Sequence, residues 1–147
     1  MCGRYASAKD PDALVEEFEV EESLVDKPLQ PDYNVAPTKS VYAVLSRHPE
    51  GAPDESTAER QLRVVRWGLV PSWAKDRSIG SRMINARAET VAEKPAFRRA
   101  FTKRRCLLPA DGYYEWYTPT GDNVPLTSRG KPVKQPFYIH RADGHSL

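Results

Sequence analysis

The sequence predicts an α+β fold that consists mostly of strands, with two or three small helices. Short β-branched and aromatic runs, separated by turn residues, predict the strands, whereas few segments have apolar residues at helical spacing. Thirteen prolines break the chain into short elements. A length of 147 residues is enough for one domain with a real hydrophobic core.

The first half of the chain predicts one helix, an irregular stretch and two strands. Asp10 and Pro11 have the form of an N-cap followed by proline at the first helical position, and an apolar stripe follows, which predicts a helix over 11–19. The next segment, EVEESLVDKPLQPDYNVAPTKS, is punctuated by proline and predicted to be irregular. β-branched residues predict strands over 41–46 and 62–70. The polar stretch between them predicts a mobile connection with its acidic side chains in solvent.

The second half predicts a short helix and further strands. Pro95 begins a helix over 95–103, in which Phe97 and Phe101 share one face. CLLPADGYYEWY (106–117) predicts an apolar strand, a turn at Asp111-Gly112 and an aromatic strand. Residues 118–135 form a polar loop, and a strand over 136–141 is expected to pair with 113–117. The last residues, ADGHSL, predict a turn and the beginning of a strand.

The charge is distributed unevenly along the chain. Residues 1–61 contain 6 basic and 13 acidic residues, whereas residues 62–147 contain 16 basic and 7 acidic ones. Ten of the basic residues lie within 75–105, against three acids. Such clustering is typical of a surface that binds a polyanion, although a solvated helix face with acids nearby would give the same pattern.

Several classes of protein are disfavoured by composition. No apolar run has transmembrane or signal-peptide character, so we expect no membrane association and a cytoplasmic, nucleoid-associated location. Two cysteines, Cys2 and Cys106, are too few for a disulfide framework. Cys106 begins an apolar run and is expected to be a buried small hydrophobe. The three histidines lack metal-ligand spacing with either cysteine, so no metal site is expected.

Cys2 directly follows the initiator methionine. If Met1 is removed, Cys2 carries both a free amine, with a pKa near roughly 7.7–8, and a thiol on the neighbouring carbon. This 1,2-aminothiol traps aldehydes, because the amine forms an imine and the thiolate then closes a thiazolidine ring. Arg4 would favour the thiolate. The alternative is that Met1 is retained and Cys2 is incidental.

Three polar residues farther along the chain have side chains suited to a reaction site. In an extended MINARAET segment (83–90), Asn85 and Arg87 share one side, where an amide can hold an amine or carbonyl and a guanidinium can hold a phosphate. Glu115 lies among aromatic residues, which raise a carboxyl pKa and favour acid–base work. Exposed polar residues on ordinary strands are the alternative for all three.

NVAP (34–37) and RWGLVPSWAKD (66–76) provide proline and tryptophan near the basic middle of the chain. Exposed prolines and tryptophans beside a basic groove can wedge between bases or stack on them. Core packing is the alternative, and it is expected for Trp67. Pro37 and Trp73 are the better candidates for contact with bases.

Taken together, these segments resemble one family, the SRAP proteins (SOS response-associated peptidases, or abasic-site processing proteins). The resemblance rests on MCGRYA, YNVAPT (33–38), RWGLVPSWAKD (66–76), INARAET (84–90), PADGYYEWY (109–117) and QPFYIHRADG (135–144), which occur in the family's order. It implies an α+β fold with an open or barrel-like, mostly antiparallel sheet edged by short helices. It also implies crosslinking to abasic sites in single-stranded DNA. We expect the protein to be a monomer that needs no cofactor.

The resemblance also implies a role for individual residues. Cys2 would be the nucleophile freed by autoproteolytic loss of Met1, Asn85 would steady the N-terminal amine, and Glu115 would shuttle protons. The implied DNA contacts are Arg4, Pro37, Trp73, Arg82 and Arg87. Some relatives have a second aromatic residue where this chain has Ala74.

The chain departs from the family pattern at its far end. The family has a later catalytic histidine in an H-x-R-M-P-like segment, and neither His140 nor His145 matches that context. We therefore expect residues 1–147 to be the N-terminal portion of a single SRAP domain. Two other functions stay open: an N-terminal-nucleophile amidohydrolase of the glutaminase type, and a non-enzymatic module that binds single-stranded DNA.

Overall fold

The computed structural model describes residues 3–48, 51, 57–121 and 123–147. The helices are α1 (Pro11–Glu17) and α2 (Arg98–Lys103), with a 3₁₀ helix at Arg77–Arg82. The strands are β1 (Tyr5–Ser7), β2 (Glu22–Ser23), β3 (Asp32–Val35), β4 (Ser40–Arg47), β5 (Glu59–Arg66), β6 (Gly112–Tyr117) and β7 (Gln135–Ile139).

These strands form two sheets. The first has the order β3-β1-β6-β7 and is antiparallel throughout. The second has the order β2-β5-β4, in which β4 and β5 are antiparallel and β2 runs parallel to β5. The expected α+β fold with mostly antiparallel sheet is confirmed, although within the described residues the strands are not closed into one barrel.

The second sheet separates two hydrophobic clusters, because side chains alternate between the faces of a strand. Val41 of β4 belongs to the first cluster, with Tyr5, Val35 and Trp67. Tyr42 and Val44 of the same strand belong to the second cluster.

In the second cluster, α1 contributes Leu14, which packs beside Leu62 of β5. As expected from the sequence, Asp10 caps α1 by accepting a 2.8 Å hydrogen bond from the Ala13 amide. The helix ends at Glu17, two residues before the predicted end.

Three other boundaries differ from the sequence predictions. The stretch predicted to be irregular contains β2 and β3, whose polar residues pair through the backbone with β5 and β1. The strand predicted over 62–70 ends at Arg66, because the chain turns at Gly68, where φ is +120°. Helix α2 begins at Arg98, after a series of turns, rather than at Pro95. Trp67 is 7% exposed, so the prediction that it lies in the core is confirmed.

The region after α2 also differs from the sequence prediction. Residues 106–110 form no strand, and a single bridge joins Leu107 to Val44 of β4. Cys106 is exposed, so the prediction of a buried cysteine is wrong.

Farther along, Gly112 is the first residue of β6 rather than part of a turn. The expected pairing of the last two strands is confirmed, with Glu115 opposite Phe137. Residues 142–147 contain a turn but no strand. Most of the acidic residues predicted to face solvent after β4 lie outside the described residues.

Candidate nucleic-acid interface and N-terminal site

The first hydrophobic cluster brings together the segments that carry four predicted site residues. Its members and their packing partners include Tyr5, Val35, Ile84 and Tyr113. Each of these four lies one or two positions from a predicted site residue. In the same order, the predicted site residues are Arg4, Pro37, Asn85 and Glu115. Residues that are far apart in sequence, such as Arg4 and Glu115, are thus supported by one apolar core.

Strand β1 sets the position of the N-terminal segment. β1 lies between β3 and β6 in the first sheet. Tyr5 is opposite Tyr113, and the Tyr114 amide donates a 3.0 Å hydrogen bond to the Arg4 carbonyl. Arg4 therefore lies against Tyr114, the residue directly before Glu115. Cys2 itself lies outside the described residues, so its predicted role stays a prediction.

The Arg4 side chain is held by a residue that sequence reasoning missed. Its guanidinium Nη1 donates a 3.0 Å hydrogen bond to Oδ1 of Asn34. Asn34 is itself positioned on β3, because its amide donates to Asp32 Oδ1 at 2.9 Å. Asn34 belongs to the YNVAPT motif, which was the available signal, but its distance of thirty residues from Arg4 concealed the pairing.

Asp32 is in turn paired with a cation. Hydrogen bonds from Lys39 Nζ, at 2.6 Å, and from the Asn34 amide lower the pKa of the Asp32 carboxyl. Asp32 is therefore a carboxylate at neutral pH, neutralised by Lys39 rather than by Arg4. No carboxylate of the described structure pairs with Arg4, so its guanidinium is available to another partner.

Pro37 begins a tight turn that is attached to the first cluster. The Thr38 amide donates to the Trp67 carbonyl, and the Trp67 amide donates to the Lys39 carbonyl, both at 2.9 Å. Thr38 has a φ of +76°, a left-handed conformation that β-branched residues rarely adopt. Such strain is typical of functional segments and is sustained by the surrounding contacts. The structure therefore holds Pro37 in a fixed, half-buried position.

Asn85 and Arg87 follow the 3₁₀ helix, on a segment that is not a strand. The Leu69 amide donates a 3.0 Å hydrogen bond to the Met83 carbonyl, and Ile84 packs on the first cluster, so the segment is anchored just before Asn85. Both predicted site residues are exposed. The prediction that Asn85 and Arg87 point to the same side assumed an extended strand, and the structure has no strand at these residues.

Trp73 and Arg82 line a different concavity. Trp73 is 59% exposed, at the end of a turn closed by a 3.0 Å hydrogen bond from the Ala74 amide to the Pro71 carbonyl. A cleft of about 320 Å³ separates it from the 3₁₀ helix, and Lys75 and Arg82 also line this cleft. An exposed indole beside two cations is suited to contact with a base and a phosphate.

Glu115 lies on β6 and is half-buried, with Tyr113 two residues before it on the same face of the strand. Its neighbour Tyr114 points to the other face, where the hydroxyl donates a 2.9 Å hydrogen bond to the Tyr33 carbonyl. That bond connects β6 to β3 across β1. The backbone around Glu115 is therefore fixed on both sides.

Cys106 is the second thiol of the chain. Partial burial raises the pKa of this thiol, against the opposing influence of Arg47 and Arg105. Because the thiolate is the reactive form, the raised pKa makes Cys106 a weak nucleophile at neutral pH. Among the residues that the structure describes, no three His, Cys, Asp or Glu side chains are grouped to hold a metal ion. No helix in the same residues is long and apolar enough to cross a membrane.

Curated proteins similar to this chain carry one kind of name. The abasic site processing protein YoaM of Bacillus subtilis is 42% identical over 116 residues, which cover 79% of this chain and 47% of YoaM. The abasic site processing protein HMCES of Rattus norvegicus is 36% identical over 115 residues, covering 75% of this chain and 30% of HMCES. The chain thus spans about half the length of the bacterial relatives it matches, and less of the mammalian one.

Solved structures resemble the fold over nearly the whole chain. A protein from Bacteroides thetaiotaomicron has a TM-score of 0.65 at 24% identity, covering 97% of this chain and 55% of its own. A phage-related protein from Bordetella bronchiseptica has a TM-score of 0.56 at 29% identity, with coverage of 95% and 55%. The family model for SOS response associated peptidase (SRAP) matches residues 1–147. The chain therefore belongs to the SRAP family.

Proposed function

We propose that this chain recognises abasic sites in single-stranded DNA and crosslinks to them through Cys2 as its first residue. The observation that supports the proposal is the pairing of β1 with β6, in which the amide of Tyr114, the residue directly before Glu115, donates a hydrogen bond to the carbonyl of Arg4, two residues after Cys2. The names of the relatives YoaM and HMCES support the same substrate. An abasic site presents an aldehyde, which is the group that a 1,2-aminothiol traps.

The reaction begins with hydrolysis of the Met1–Cys2 peptide bond, which adds one water and frees the Cys2 amine. The neutral amine then attacks the ring-opened sugar aldehyde. A carbon–nitrogen bond forms and water leaves, which gives an imine. The Cys2 thiolate adds to the imine carbon, and the nitrogen takes up a proton as the thiazolidine ring closes. No oxidant or reductant is consumed.

Residues of the described structure have separate roles in this proposal. Glu115 transfers protons between the carbinolamine oxygen, the nitrogen and the sulfur, and Asn85 holds the amine with its amide group. Arg4 and Arg87 hold the phosphates that flank the abasic sugar. Asn34 keeps the Arg4 guanidinium oriented, since it accepts one hydrogen bond and leaves the remaining donors for phosphate.

Intact-mass measurement after incubation with an abasic oligonucleotide tests the proposal. We expect the protein to lack Met1 and to gain the mass of the oligonucleotide minus one water. Cys2→Ser is expected to abolish this stable adduct while non-covalent binding remains, because serine closes the ring far less readily. Cys106→Ser is the matched control and is expected to react as the unmodified chain does. Retention of Met1 on most molecules, or a stable adduct from Cys2→Ser without reductant, would contradict the mechanism.

A further inference from the structure

Helix α2 and Trp73 face each other across a small cleft, which we call the α2 cleft. Its volume is about 170 Å³, and Leu69, Pro71 and Trp73 form one side of it. Arg98, Arg99 and Arg104 line the other side. None of these three arginines was among the DNA contacts predicted from sequence.

The arginines of the α2 cleft have no carboxylate partner within the described part of the chain. Two other cations nearby, Lys103 and Arg105, do not line the α2 cleft. Arg105 lies over the Phe101 ring, 4.7 Å from its centroid. Lys103 lies on α2 but outside the cleft. The positive charge in the cleft is thus available to an anion, whereas Arg105 already has an aromatic partner.

The volume of the whole α2 cleft, including the space beside its arginines, limits the size of the ring that fits on Trp73. An apolar cavity of about 150 Å³ accommodates benzene, so 170 Å³ is sufficient for one six-membered ring. An indole provides a stacking surface for such a ring. Guanidinium groups next to it provide the planar donor pairs that bind phosphate. The combination is suited to a nucleotide with a single-ring base.

We propose that the α2 cleft binds one pyrimidine nucleotide of a single strand, with the base on Trp73 and its phosphate on Arg98, Arg99 and Arg104. This inference rests on the proposed function, since the strand would be the one that carries the abasic site. Leu69 also lines a groove of about 520 Å³ that reaches Met83 and Ile84, directly before Asn85. The groove and the α2 cleft therefore share Leu69 as a wall, which sets the α2 cleft beside the groove that leads towards Asn85.

The test uses fluorescence anisotropy with labelled oligonucleotides of thymidine and of deoxyadenosine that contain no abasic site. We expect tighter binding of the thymidine strand. The double change Arg98→Gln and Arg99→Gln is expected to flatten the dependence of log K on log salt concentration by about 0.7 for each lost contact. Trp73→Ala is expected to weaken binding of the thymidine strand about tenfold and to remove most of the preference for thymidine.

Lys103→Gln is the matched control, because it removes the same charge from the same helix outside the α2 cleft. The proposal would be overturned if the salt dependence changed, per charge removed, by the same amount in Lys103→Gln as in the double arginine variant. Equal affinity for the thymidine and deoxyadenosine strands would also overturn it. Circular dichroism confirms that each variant remains folded. Because the probes contain no aldehyde, failure of the crosslinking mechanism leaves this test intact. Conversely, if the double arginine variant and Trp73→Ala bind the thymidine strand as tightly as the unmodified protein and still form the adduct, the α2 cleft proposal is refuted and the crosslinking proposal is not.

Discussion

Two of the predicted DNA contacts of this protein, Arg4 and Pro37, are positioned by neighbours that were not predicted to belong to the site. Arg4 is oriented by Asn34, and the Pro37 turn is attached to Trp67 through two backbone hydrogen bonds. Cys2, Arg4 and Glu115 could be proposed as site residues from sequence because the chemistry of a thiol, a guanidinium and a carboxyl group is intrinsic to the side chain, and their roles stay predictions. The contact between Arg4 and Asn34 could not, because it depends on the pairing of β1 with β3.

Asn34→Asp is predicted to weaken binding of single-stranded DNA without unfolding the protein. The new carboxylate would keep the contact with Arg4 but would pair its charge, so that less positive charge remains for phosphate. The slope of log K against log salt concentration should become shallower by about 0.7, the value for one phosphate contact. Tyr33→Phe is the control, since only the Tyr33 backbone carbonyl makes the contact with Tyr114. An unchanged slope in Asn34→Asp would show that Arg4 lies outside the DNA interface.

Arg87→Ala is predicted to reduce affinity for all single strands by a similar factor, whatever their sequence. Phosphate contacts position a strand and carry no base information. Filter binding over a range of salt concentrations measures the effect, again as a slope shallower by about 0.7. Arg87→Lys, which keeps the charge but loses the planar donor pair, is expected to retain the slope. A loss that depends on base sequence would instead assign Arg87 to base readout.

At the scale of the elements, long apolar strands could be predicted and short polar ones could not. β4, β6 and β7 have β-branched or aromatic runs whose tendency to form strands is local. β2 and β3 consist largely of polar residues, and their strand conformation comes from backbone pairing with distant β5 and β1. Cys106 was wrongly placed in the core because the apolar run CLLP indicates burial only where another element covers it fully, and the described residues cover Cys106 only in part.

Gly68 separates β5 from the loop that carries Trp73, and its replacement is predicted to disrupt that junction. A Cβ at this position would lie 2.3 Å from the Gly80 carbonyl oxygen in the 3₁₀ helix. Gly68→Ala should therefore lower the free energy of unfolding by about 1–3 kcal/mol or more. Urea denaturation measures this loss. Gly121→Ala is the matched control, because Gly121 has a similar φ of +127° with no atom within 4 Å of the added Cβ. If both variants lost the same free energy of unfolding, the effect would come from the positive φ alone and not from the contact with Gly80.

At the scale of the whole molecule, the last residues return to the first helix. Glu17 of α1, whose side chain is 14% exposed, accepts hydrogen bonds from Lys9 and from Ser146. The Leu147 amide donates a 2.8 Å hydrogen bond to the Ala110 carbonyl, directly before β6. These contacts join α1, the end of the chain and the first sheet into one body, which the sequence could not predict because they depend on non-local packing.

The Glu17 contacts predict a specific dependence of stability on pH. Burial by itself would raise the pKa of Glu17, but the hydrogen bonds from Lys9 and Ser146 outweigh it and lower the pKa to about 2. A lowered pKa in the folded state means that the stabilisation is complete above about pH 4.5, the ordinary value, and is lost as the pH falls towards 2.

Glu17→Gln should accordingly destabilise the protein at neutral pH and reduce the pH dependence of unfolding between 4.5 and 2. Thermal melting in buffers from pH 7 to pH 2 measures both the destabilisation and its pH dependence. Glu16→Gln, which removes the same charge from an exposed neighbour on α1, is expected to leave that dependence unchanged. Identical profiles for the two variants would mean that Glu17 does not anchor the end of the chain.

The central place of β1 in the first sheet has a consequence for dynamics. Chain termini usually fray, and their amide hydrogens exchange rapidly with solvent. Because β1 is paired on both sides within the first seven residues, we expect its amides to exchange only when the sheet itself opens. The proposed nucleophile, Cys2, would thus be attached, within three residues, to backbone that we expect to be among the slowest to exchange, so that the substrate would meet a rigid support close to the reacting group.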